Sequence, residues 1–411
     1  MACVWYISKY LSVPSQGRVG LRGFMLLREM VRQGHECLAI TSDSNHLIEP
    51  PVFSGDILDE TMEGVNIRWI KTRDYLGAKS LGRILSWLDF ELQLWRMRKE
   101  NLATPDAVIV SSLSLLTIFN GLLLRRRYRC RLIFEVRDIW PLTIVAEGGF
   151  SPFNPFVIAL GMVEKLAYRT SDAIVGTMPN LGQHVEEVSG SRKPVFCIPM
   201  GIDPAALAEP RPLPDDYVAE YVPQGKFTVC HAGTIGITNA LDTLFECAAA
   251  MQDRPDIHFL VVGDGDLKEH FRARYGHLPN VGFAPAVPKD MVQSVLQRCD
   301  LAYFSTHPSA VWKFGQSLNK VVDYMLAGKP VVASYSGYPS MIDEAGSGVF
   351  VPAGDVAALK AEIERMAALP HEQRTAMGEA GRRWIVENRS YATLAADYLA
   401  IAMGHAVRRN A

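Results

Sequence analysis

The sequence predicts an α/β protein of two doubly wound domains, each with a mostly parallel sheet covered by helices on both faces. Three observations predict this class. The chain has 411 residues, too many for one ordinary core and suited to two domains of about 200 residues. Hydrophobic residues make up 48 % and charged residues 21 %, the balance of a folded soluble protein. Short β-branched runs alternate with longer amphipathic segments, which is typical of parallel sheets.

Each half of the chain contains its own set of predicted strands. In the first half they are Cys3–Ser8, Glu36–Thr41, Ala107–Ser111, Leu132–Val136, Ala173–Gly176 and Pro194–Ile198. In the second half they are Thr228–Ala232, His258–Val262, Val281–Phe283, Leu301–Phe304 and Val331–Ala333. The predicted helices include Gly20–Gln33, Val157–Arg169, Glu372–Glu387 and Tyr391–Ala406. Because the alternation occurs twice, we expect two domains that face each other across a central cleft.

A change of composition marks the predicted domain boundary. The segment Pro199–Pro204 and the proline-rich EPRPLPDDYV that follows at Glu209–Val218 are typical of a linker. We therefore predict an N-terminal domain at residues 1–204 and a C-terminal domain at residues 205–385. The remaining residues, 386–411, are predicted to form a helix that returns to the N-terminal domain.

Composition and motif searches exclude several classes of protein. The formal net charge of −2 gives no reason to expect a nucleic-acid partner. The seven cysteines lack C-x-x-C spacing and the ten histidines form no H-E-x-x-H set, so we expect reduced thiols, a cytoplasmic location and no metal site or cofactor. No serine-hydrolase elbow, P-loop or secretory signal is present, and no apolar run reaches the about 20 residues that span a bilayer.

The strongest motif is GQSLNKVVDYMLAGKPVVASYSG at Gly315–Gly337. A helix that begins near Asn319 would direct the N–H groups of residues 317–320 out of its first turn, where they and the Lys320 ammonium group would bind a diphosphate. Asp323 lies about one turn further along the same side and would accept a ribose diol. The alternative is an ordinary N-cap with a solvated lysine.

The first strand-to-helix loop of the N-terminal domain is Ser15–Gly23. Gly17 permits close backbone approach, and Arg18 and Arg22 could neutralise a phosphate or an acidic acceptor. A plain turn with solvated arginines is the alternative.

A second such loop, in Phe134–Pro141, ends a strand with Arg137 and Asp138. A carboxylate at a strand end could position an acceptor hydroxyl or take its proton. The alternative is a structural turn locked by Trp140.

Two loops of the C-terminal domain complete the set. Gly233 and Gly236 are expected to leave N–H groups uncovered, as a diphosphate-binding loop would need. The segment Val261–Asp266 contains Asp-x-Asp, by which some sugar-transferring enzymes hold a divalent metal. A turn with Asp266 as N-cap explains that segment without a metal.

These motifs, taken together, resemble a known family. The segments GKFTVCHAGTIG, HFLVVGDGD and DYMLAGKPVVAS are similar to the nucleotide-binding half of retaining glycosyltransferases of family 4, which have the GT-B fold of two Rossmann-like domains. RGFMLLREMVRQGHECLAITS at Arg22–Ser42 resembles the family's first helix and second strand, so the likeness covers nearly the whole chain. FEVRDIWPLT, IPMGID and KFGQSLNKVVDYMLAGKPVV are similar to the N-acetyl-L-fucosamine transferase-like subgroup of surface-polysaccharide enzymes.

The resemblance implies a UDP-sugar donor, a lipid-linked saccharide acceptor, retention of configuration and no metal. The implied donor nucleotide residues are Gly233, Thr234, Gly236, Val287, Ser317, Leu318, Asn319, Lys320 and Asp323, with Gly315 and Gln316 at the donor sugar. The implied acceptor residues are Gly17, Arg18, Arg22 and Arg137, and the catalytic candidates are Asp138 and Lys320. The family usually has two glutamates separated by seven residues; Asp323 matches the second, but Gly315 stands at the first.

A membrane partner is a further expectation. The segment Leu81–Lys99 mixes Trp87 and Trp95 with basic residues, and Arg125–Arg127 follows another apolar helix. This pattern predicts peripheral contact with the inner face of the cytoplasmic membrane, although buried core helices with basic ends explain it equally well.

Three other functions remain open at this stage. A nucleotide-sugar epimerase or hydrolase would consume the donor without an acceptor. A nonenzymatic protein would bind free sugar. A nicotinamide dehydrogenase would need the G-x-G-x-x-G fingerprint and its acidic partner, which are not where they should be.

Overall fold

The computed structural model describes residues 1–14, 21–45, 48–49, 51–75, 81–112, 114–203 and 207–405. Two compact units are found: the first contains Met1–Gly201 with Tyr391–Ala411, and the second contains Ile202–Ser390. Each unit has a largely parallel sheet with helices packed on it, which is the predicted α/β class. The sequence predicts the boundary between the two domains at residue 204 and a separate C-terminal segment from residue 386.

The sheet of the first unit has eight strands. They are β1 (Cys3–Ile7), β2 (Glu36–Ser42), β3 (Ile57–Met62), β4 (Val65–Ile70), β5 (Ala107–Ser111), β6 (Arg131–Val136), β7 (Ala173–Gly176) and β8 (Val195–Cys197). Their order is β3-β4-β2-β1-β5-β6-β7-β8, and among these described strands only the β3–β4 pair is antiparallel. The sequence analysis did not predict this edge hairpin. Every second residue of β3 is exposed, so this strand contains no buried apolar run that would indicate it.

In the part of the first unit that the structure describes, six helices precede the linker. They are α1 (Arg22–Arg32), α2 (Leu81–Arg96), α3 (Thr117–Tyr128), α4 (Leu142–Ala146), α5 (Pro155–Thr170) and α6 (Leu181–Ser189). The start of α5 follows from its sequence, because the Asn154 side chain accepts a hydrogen bond from the Phe156 amide and Pro155 occupies the first helical position.

The sheet of the second unit has six parallel strands. They are β9 (Phe227–Ala232), β10 (Ile257–Val262), β11 (Val281–Ala284), β12 (Leu301–Ser305), β13 (Val331–Ser334) and β14 (Gly348–Val351). Their order is β11-β10-β9-β12-β13-β14. The helices are α7 (Asp215–Tyr221), α8 (Asp242–Ala249), α9 (Lys268–Tyr275), α10 (Val292–Leu296), α11 (Asn319–Leu326), α12 (Met341–Ala345), α13 (Val356–Ala368) and α14 (His371–Asn388).

The last helix, α15 (Tyr391–Met403), packs against α1 of the first unit. Its buried apolar side chains join the core formed by β1, β2 and α1. The hydroxyl group of Tyr398 also donates to the buried Glu135 carboxylate, at 3.1 Å. The end of the chain is therefore tied to the first unit by both apolar contacts and a buried hydrogen bond.

Candidate functional site

The strand order locates a candidate site in each unit. In the second unit the chain proceeds from β9 outward to β10 and β11, then returns to β12 and proceeds outward in the opposite direction. Ligands of open parallel sheets bind at the carboxyl ends of the strands where the order reverses. The loops after β9 and β12 are therefore the expected binding loops, and they carry most of the predicted donor residues. In the first unit the reversal lies between β1 and β5.

In the loop after β9, one of the two amides that were expected to be uncovered is occupied. The Gly233 N–H donates to the Val262 carbonyl at 2.9 Å, so it is not available to a phosphate. Gly236 is buried, and a Cβ placed there would lie 3.0 Å from Asp266 Oδ1. The Gly233 amide is therefore occupied, and Gly236 packs closely against Asp266. The exposed Thr234 accepts a hydrogen bond from the Asn239 side chain through its carbonyl oxygen, at 2.7 Å.

The Asp-x-Asp segment packs against this same loop. A Cβ on Gly263 would lie 1.9 Å from the Gly233 carbonyl oxygen, so only glycine fits there. The Asp264 carboxylate lies 3.7 Å from the Lys268 ammonium group, and α9 begins at Lys268 with Leu267 as its N-cap. The prediction that Asp266 caps this helix is therefore wrong. No group of three or more His, Cys, Asp or Glu side chains among the described residues is arranged to hold a metal.

The loop after β12 leads through a short 3₁₀ helix, Ala310–Phe314, to Gly315. The backbone of Gly315 has φ +98°, a conformation that side-chain-bearing residues rarely adopt. A glutamate, which the family usually has at this position, would be strained in this conformation. The next residue, Gln316, is buried; its Oε1 accepts the Leu318 N–H at 2.9 Å, and its Nε2 has no partner among the described residues.

Helix α11 begins at Asn319, where the sequence predicted it, with Leu318 as an extended N-cap. The Leu318 N–H is occupied by Gln316, so the expectation that all the amides of residues 317–320 are available is wrong. Ser317 also has an interaction partner. The first-turn amides of Asn319 and Lys320 have no acceptor within the helix and lie at its positive end. An anion-binding helix terminus therefore remains, with fewer donors than predicted.

Lys320 connects the two binding loops. Its ammonium group donates to Asn239 Oδ1, and its Cε lies 3.8 Å from where a Cβ on Gly233 would be. Burial lowers the pKa of Lys320 to about 8. None of the described carboxylates forms an ion pair with this ammonium group. An anionic ligand would supply the charge partner that it lacks, and binding would raise its pKa again.

Beneath these residues lies a histidine that the sequence analysis did not single out. His231, near the end of β9, is fully buried, and its Nε2 lies 3.5 Å from the position of a Cβ on Gly233. Burial, reinforced by the charge of Lys320, lowers the pKa of His231 to about 3. The ring is therefore neutral at physiological pH and adds no positive charge to the site.

Asp323 follows one turn into α11 and faces the segment after β11. The Lys289 ammonium group contacts both of its carboxylate oxygens, an ion pair that the sequence analysis did not identify. Burial raises the pKa of Asp323, and the charge of Lys289 opposes that rise. Val287, one of the implied donor-nucleotide residues, lies two residues before Lys289, so this ion pair connects its segment to the predicted ribose-binding carboxylate.

In the first unit, Arg22 is not available to an acceptor. Its guanidinium group pairs with Glu135 at 2.8 Å, both side chains are fully buried, and two further bonds go to the carbonyls of Ile198 and Pro199. The prediction of an acceptor contact is therefore corrected to a structural ion pair that ties α1 to β6. Gly17 and Arg18 lie outside the described residues.

Asp138 and Arg137 lie at the carboxyl end of β6, as predicted. Asp138 is half-buried, and its carboxylate accepts bonds from Trp140 Nε1 at 2.8 Å and Thr143 Oγ1 at 2.6 Å. The backbone N–H of Arg137 donates to Ser112 Oγ at 3.1 Å. Two uncharged donors therefore hold the carboxylate in one orientation.

Solved structures match this chain over almost its full length. Sucrose-phosphate synthase from Thermosynechococcus elongatus has 16 % identity and a TM-score of 0.72, with 98 % of each chain covered. UDP-forming α,α-trehalose-phosphate synthase from Burkholderia xenovorans has 12 % identity and a TM-score of 0.69, with 99 % of this chain and 100 % of that chain covered. HepE of Anabaena, in complex with UDP and glucose, has 15 % identity and a TM-score of 0.64, with 98 % and 99 % covered. These similarities define the GT-B class of two-domain α/β fold.

Family models then identify the chain more closely. Residues 226–368 match the model described as Glycosyl transferases group 1, and residues 22–201 match the Glycosyl transferase 4-like domain. The protein is therefore a glycosyltransferase that carries both of these domains. No curated protein matches the chain. None of the described helices is long and apolar enough to cross a membrane.

Proposed function

We propose that the protein transfers a sugar from a UDP-linked donor to a lipid-linked saccharide during synthesis of a surface polysaccharide, either O-antigen or capsule. The transfer retains the anomeric configuration and takes place in the cytoplasm, at the inner face of the membrane. The proposed sugar is an N-acetylated amino-deoxyhexose, on the basis of the resemblance to the N-acetyl-L-fucosamine transferase-like subgroup. One observation carries the donor assignment: Lys320 and the first turn of α11 meet Gly233 where the strand order of the second unit reverses.

The donor nucleotide is proposed to bind along α11. Its diphosphate contacts the Lys320 ammonium group and the amides of Asn319 and Lys320. Its ribose diol donates to Asp323, and Lys289 moves away from that carboxylate or shares it with the diol. HepE of Anabaena, which shares the fold, has been solved with UDP and glucose, and the Burkholderia relative is described as UDP-forming, which supports a UDP-linked donor.

The chemistry needs two groups of this chain. In the transition state the departing UDP gains negative charge, and Lys320 with the helix amides would stabilise it without a metal. Asp138 is proposed to position the acceptor hydroxyl and to accept its proton. The hydrogen bonds from Trp140 and Thr143 keep this carboxylate oriented.

The test is a reconstituted transfer with purified protein. UDP-sugars, with GDP- and dTDP-sugars as alternatives, are first ranked by the rise they cause in the melting temperature. The best donor is then incubated with and without a lipid-linked saccharide, and the anomeric configuration of the product is read by NMR. Acceptor-dependent release of UDP with a retained anomer is the expected result. Equal consumption of donor without acceptor would instead identify a hydrolase or epimerase.

A further inference from the structure

Exposed apolar side chains are concentrated on one part of the first unit. Sixteen large apolar side chains are exposed among the described residues, and ten of them lie on α2, on α3, or on α5 and the segment just before it. On α2 they are Leu85, Leu88, Leu92 and Trp95. Their spacing of three, four and three residues puts them on one face of the helix. Because Phe90 and Leu94 are buried on the other side, α2 is apolar both toward the core and toward solvent.

The neighbouring helices extend this apolar face. Helix α3 packs beside α2, and α5 packs beside α3. Phe119 and Leu123 are exposed one turn apart on α3, as are Ile158 and Met162 on α5. Phe153, just before α5, is 85 % exposed. The three helices therefore present a continuous outer surface, which we call the α2–α3–α5 face, and contiguous apolar surfaces of this kind mark interaction sites.

The charges around the α2–α3–α5 face are mostly positive. Over residues 81–170, seven Lys or Arg residues are exposed against three Asp or Glu. The basic residues lie at or near the ends of the three helices, for example Arg96 and Arg98 at the end of α2 and Arg126, Arg127 and Arg129 at the end of α3. Apolar side chains bordered by arginines match the chemistry of an anionic lipid surface.

We propose that the α2–α3–α5 face docks on an anionic bilayer, with its apolar side chains at the acyl boundary and its arginines at the headgroups. A second copy of the chain fits less well, because a two-fold interface would bring the same basic surface to both sides of the contact. The inference does not depend on the identity of the donor. It rests on the proposed function only for the expectation that the acceptor is held in the same bilayer.

The proposed surface is linked to the reaction by one stretch of chain. Asp138 lies near the start of the connection that leads from β6 through α4 to α5, and Phe150 and Phe153 lie later in this same connection. A bilayer that binds these two phenylalanines would therefore also restrain the connection that carries the proposed catalytic carboxylate, Asp138. We expect vesicle binding to accelerate transfer to a membrane-held acceptor and to leave transfer to a short soluble acceptor unchanged.

The test is flotation with vesicles of phosphatidylcholine alone or of phosphatidylcholine with phosphatidylglycerol. The wild-type protein is expected to float with the anionic vesicles, and less at high salt. Leu88→Ser with Trp95→Ser should abolish flotation. Arg126→Ala with Arg127→Ala should weaken it by roughly 25-fold, since each arginine near the surface contributes about a fivefold factor.

Matched control variants carry the same kinds of substitution outside the α2–α3–α5 face. Val52→Ser with Leu207→Ser removes exposed apolar side chains, and Arg382→Ala with Arg383→Ala removes an adjacent exposed basic pair on α14. Both should float as the wild type does. Melting temperatures and UDP-induced shifts are recorded for every variant, so loss of folding or of donor binding is distinguished from loss of bilayer binding.

Two results would overturn the proposal. One is wild-type protein that stays behind when anionic vesicles float. The other is unchanged flotation of Leu88→Ser with Trp95→Ser, particularly if light scattering shows that this variant converts a dimer to a monomer. In that case the face would be an interface between two copies of the chain.

Discussion

Replacing Lys320 with methionine is expected to reduce turnover sharply while leaving the protein folded. Methionine keeps much of the side-chain volume but removes the charge that is proposed to bind the diphosphate. Loss of one donor to developing negative charge costs about a hundredfold to a thousandfold in kcat. The fold should survive, because the pKa of Lys320 in the folded protein, about 8, is below its ordinary value. The cost of this charge to folding grows as the pH falls from about 10.5 to about 8 and is fully present below that, so at neutral pH the unliganded variant should melt no lower than the wild type.

The lowered pKa of Lys320 also predicts a pH profile. With a pKa of about 8, roughly nine-tenths of the free enzyme carries the charge at pH 7 and about one-tenth at pH 9. The value of kcat/KM, which reports the free enzyme, should fall about tenfold per unit above pH 8. In Lys320→Arg the guanidinium group stays charged, so whatever activity remains should not show this decline.

The assay is acceptor-dependent UDP release from pH 6.5 to 9.5, with calorimetric titration of UDP in parallel. Lys226→Met is the matched control, because Lys226 is half-buried at the opposite end of β9 and should behave as the wild type. Normal turnover of Lys320→Met, or wild-type UDP affinity that does not change between pH 7 and 9.5, would refute the assignment of the diphosphate to Lys320.

Three further predictions concern Asp323, Asp138 and the structural residues. Asp323→Asn should weaken binding of UDP by about tenfold or more but leave binding of inorganic diphosphate nearly unchanged. Equal losses of affinity for both ligands would contradict the proposed contact between Asp323 and the ribose. Asp138→Asn should lower kcat, measured from initial rates, by about a hundredfold or more. Its affinity for UDP, measured by calorimetry, should change little. A large loss of UDP affinity would contradict the assignment of Asp138 to the acceptor. In urea unfolding, Glu135→Gln should cost about 3–5 kcal/mol, because it leaves the Arg22 charge buried and unpaired. Gly315→Ala should cost about 1–3 kcal/mol, because alanine is strained in the backbone conformation of this residue. A loss below about 0.5 kcal/mol in either variant would contradict the explanation given for it.

The main features of the fold were accessible from the sequence because strand periodicity is a local property. All eleven predicted strands are present with small changes at their ends, as in Glu36–Ser42 and Leu301–Ser305. Helix α11 begins at the predicted Asn319 because the polar start and the apolar face occur within a few residues of each other. The hairpin of β3 and β4 was missed because its outer strand has no buried run, and β14 because only its last residue is buried.

The partners of the site residues could not be predicted, since they depend on contacts between distant segments. Arg22 and Glu135 are 113 residues apart, and nothing local distinguishes a buried arginine from one that binds an acceptor. Lys289 reaches Asp323 across 34 residues, and Lys320 reaches Asn239 across 81. The glycine at position 315 could be noted as a departure from the family pattern, but its positive φ is visible only in the structure.

Hydrogen exchange measured by mass spectrometry, with and without UDP, tests the proposed donor site most directly. Saturating UDP should slow amide exchange in residues 233–239 and 315–323 of the wild-type protein, and this protection should be lost in Lys320→Met at the same UDP concentration. If UDP binds to the wild-type protein but neither segment gains protection, the nucleotide binds elsewhere and the proposed site is wrong.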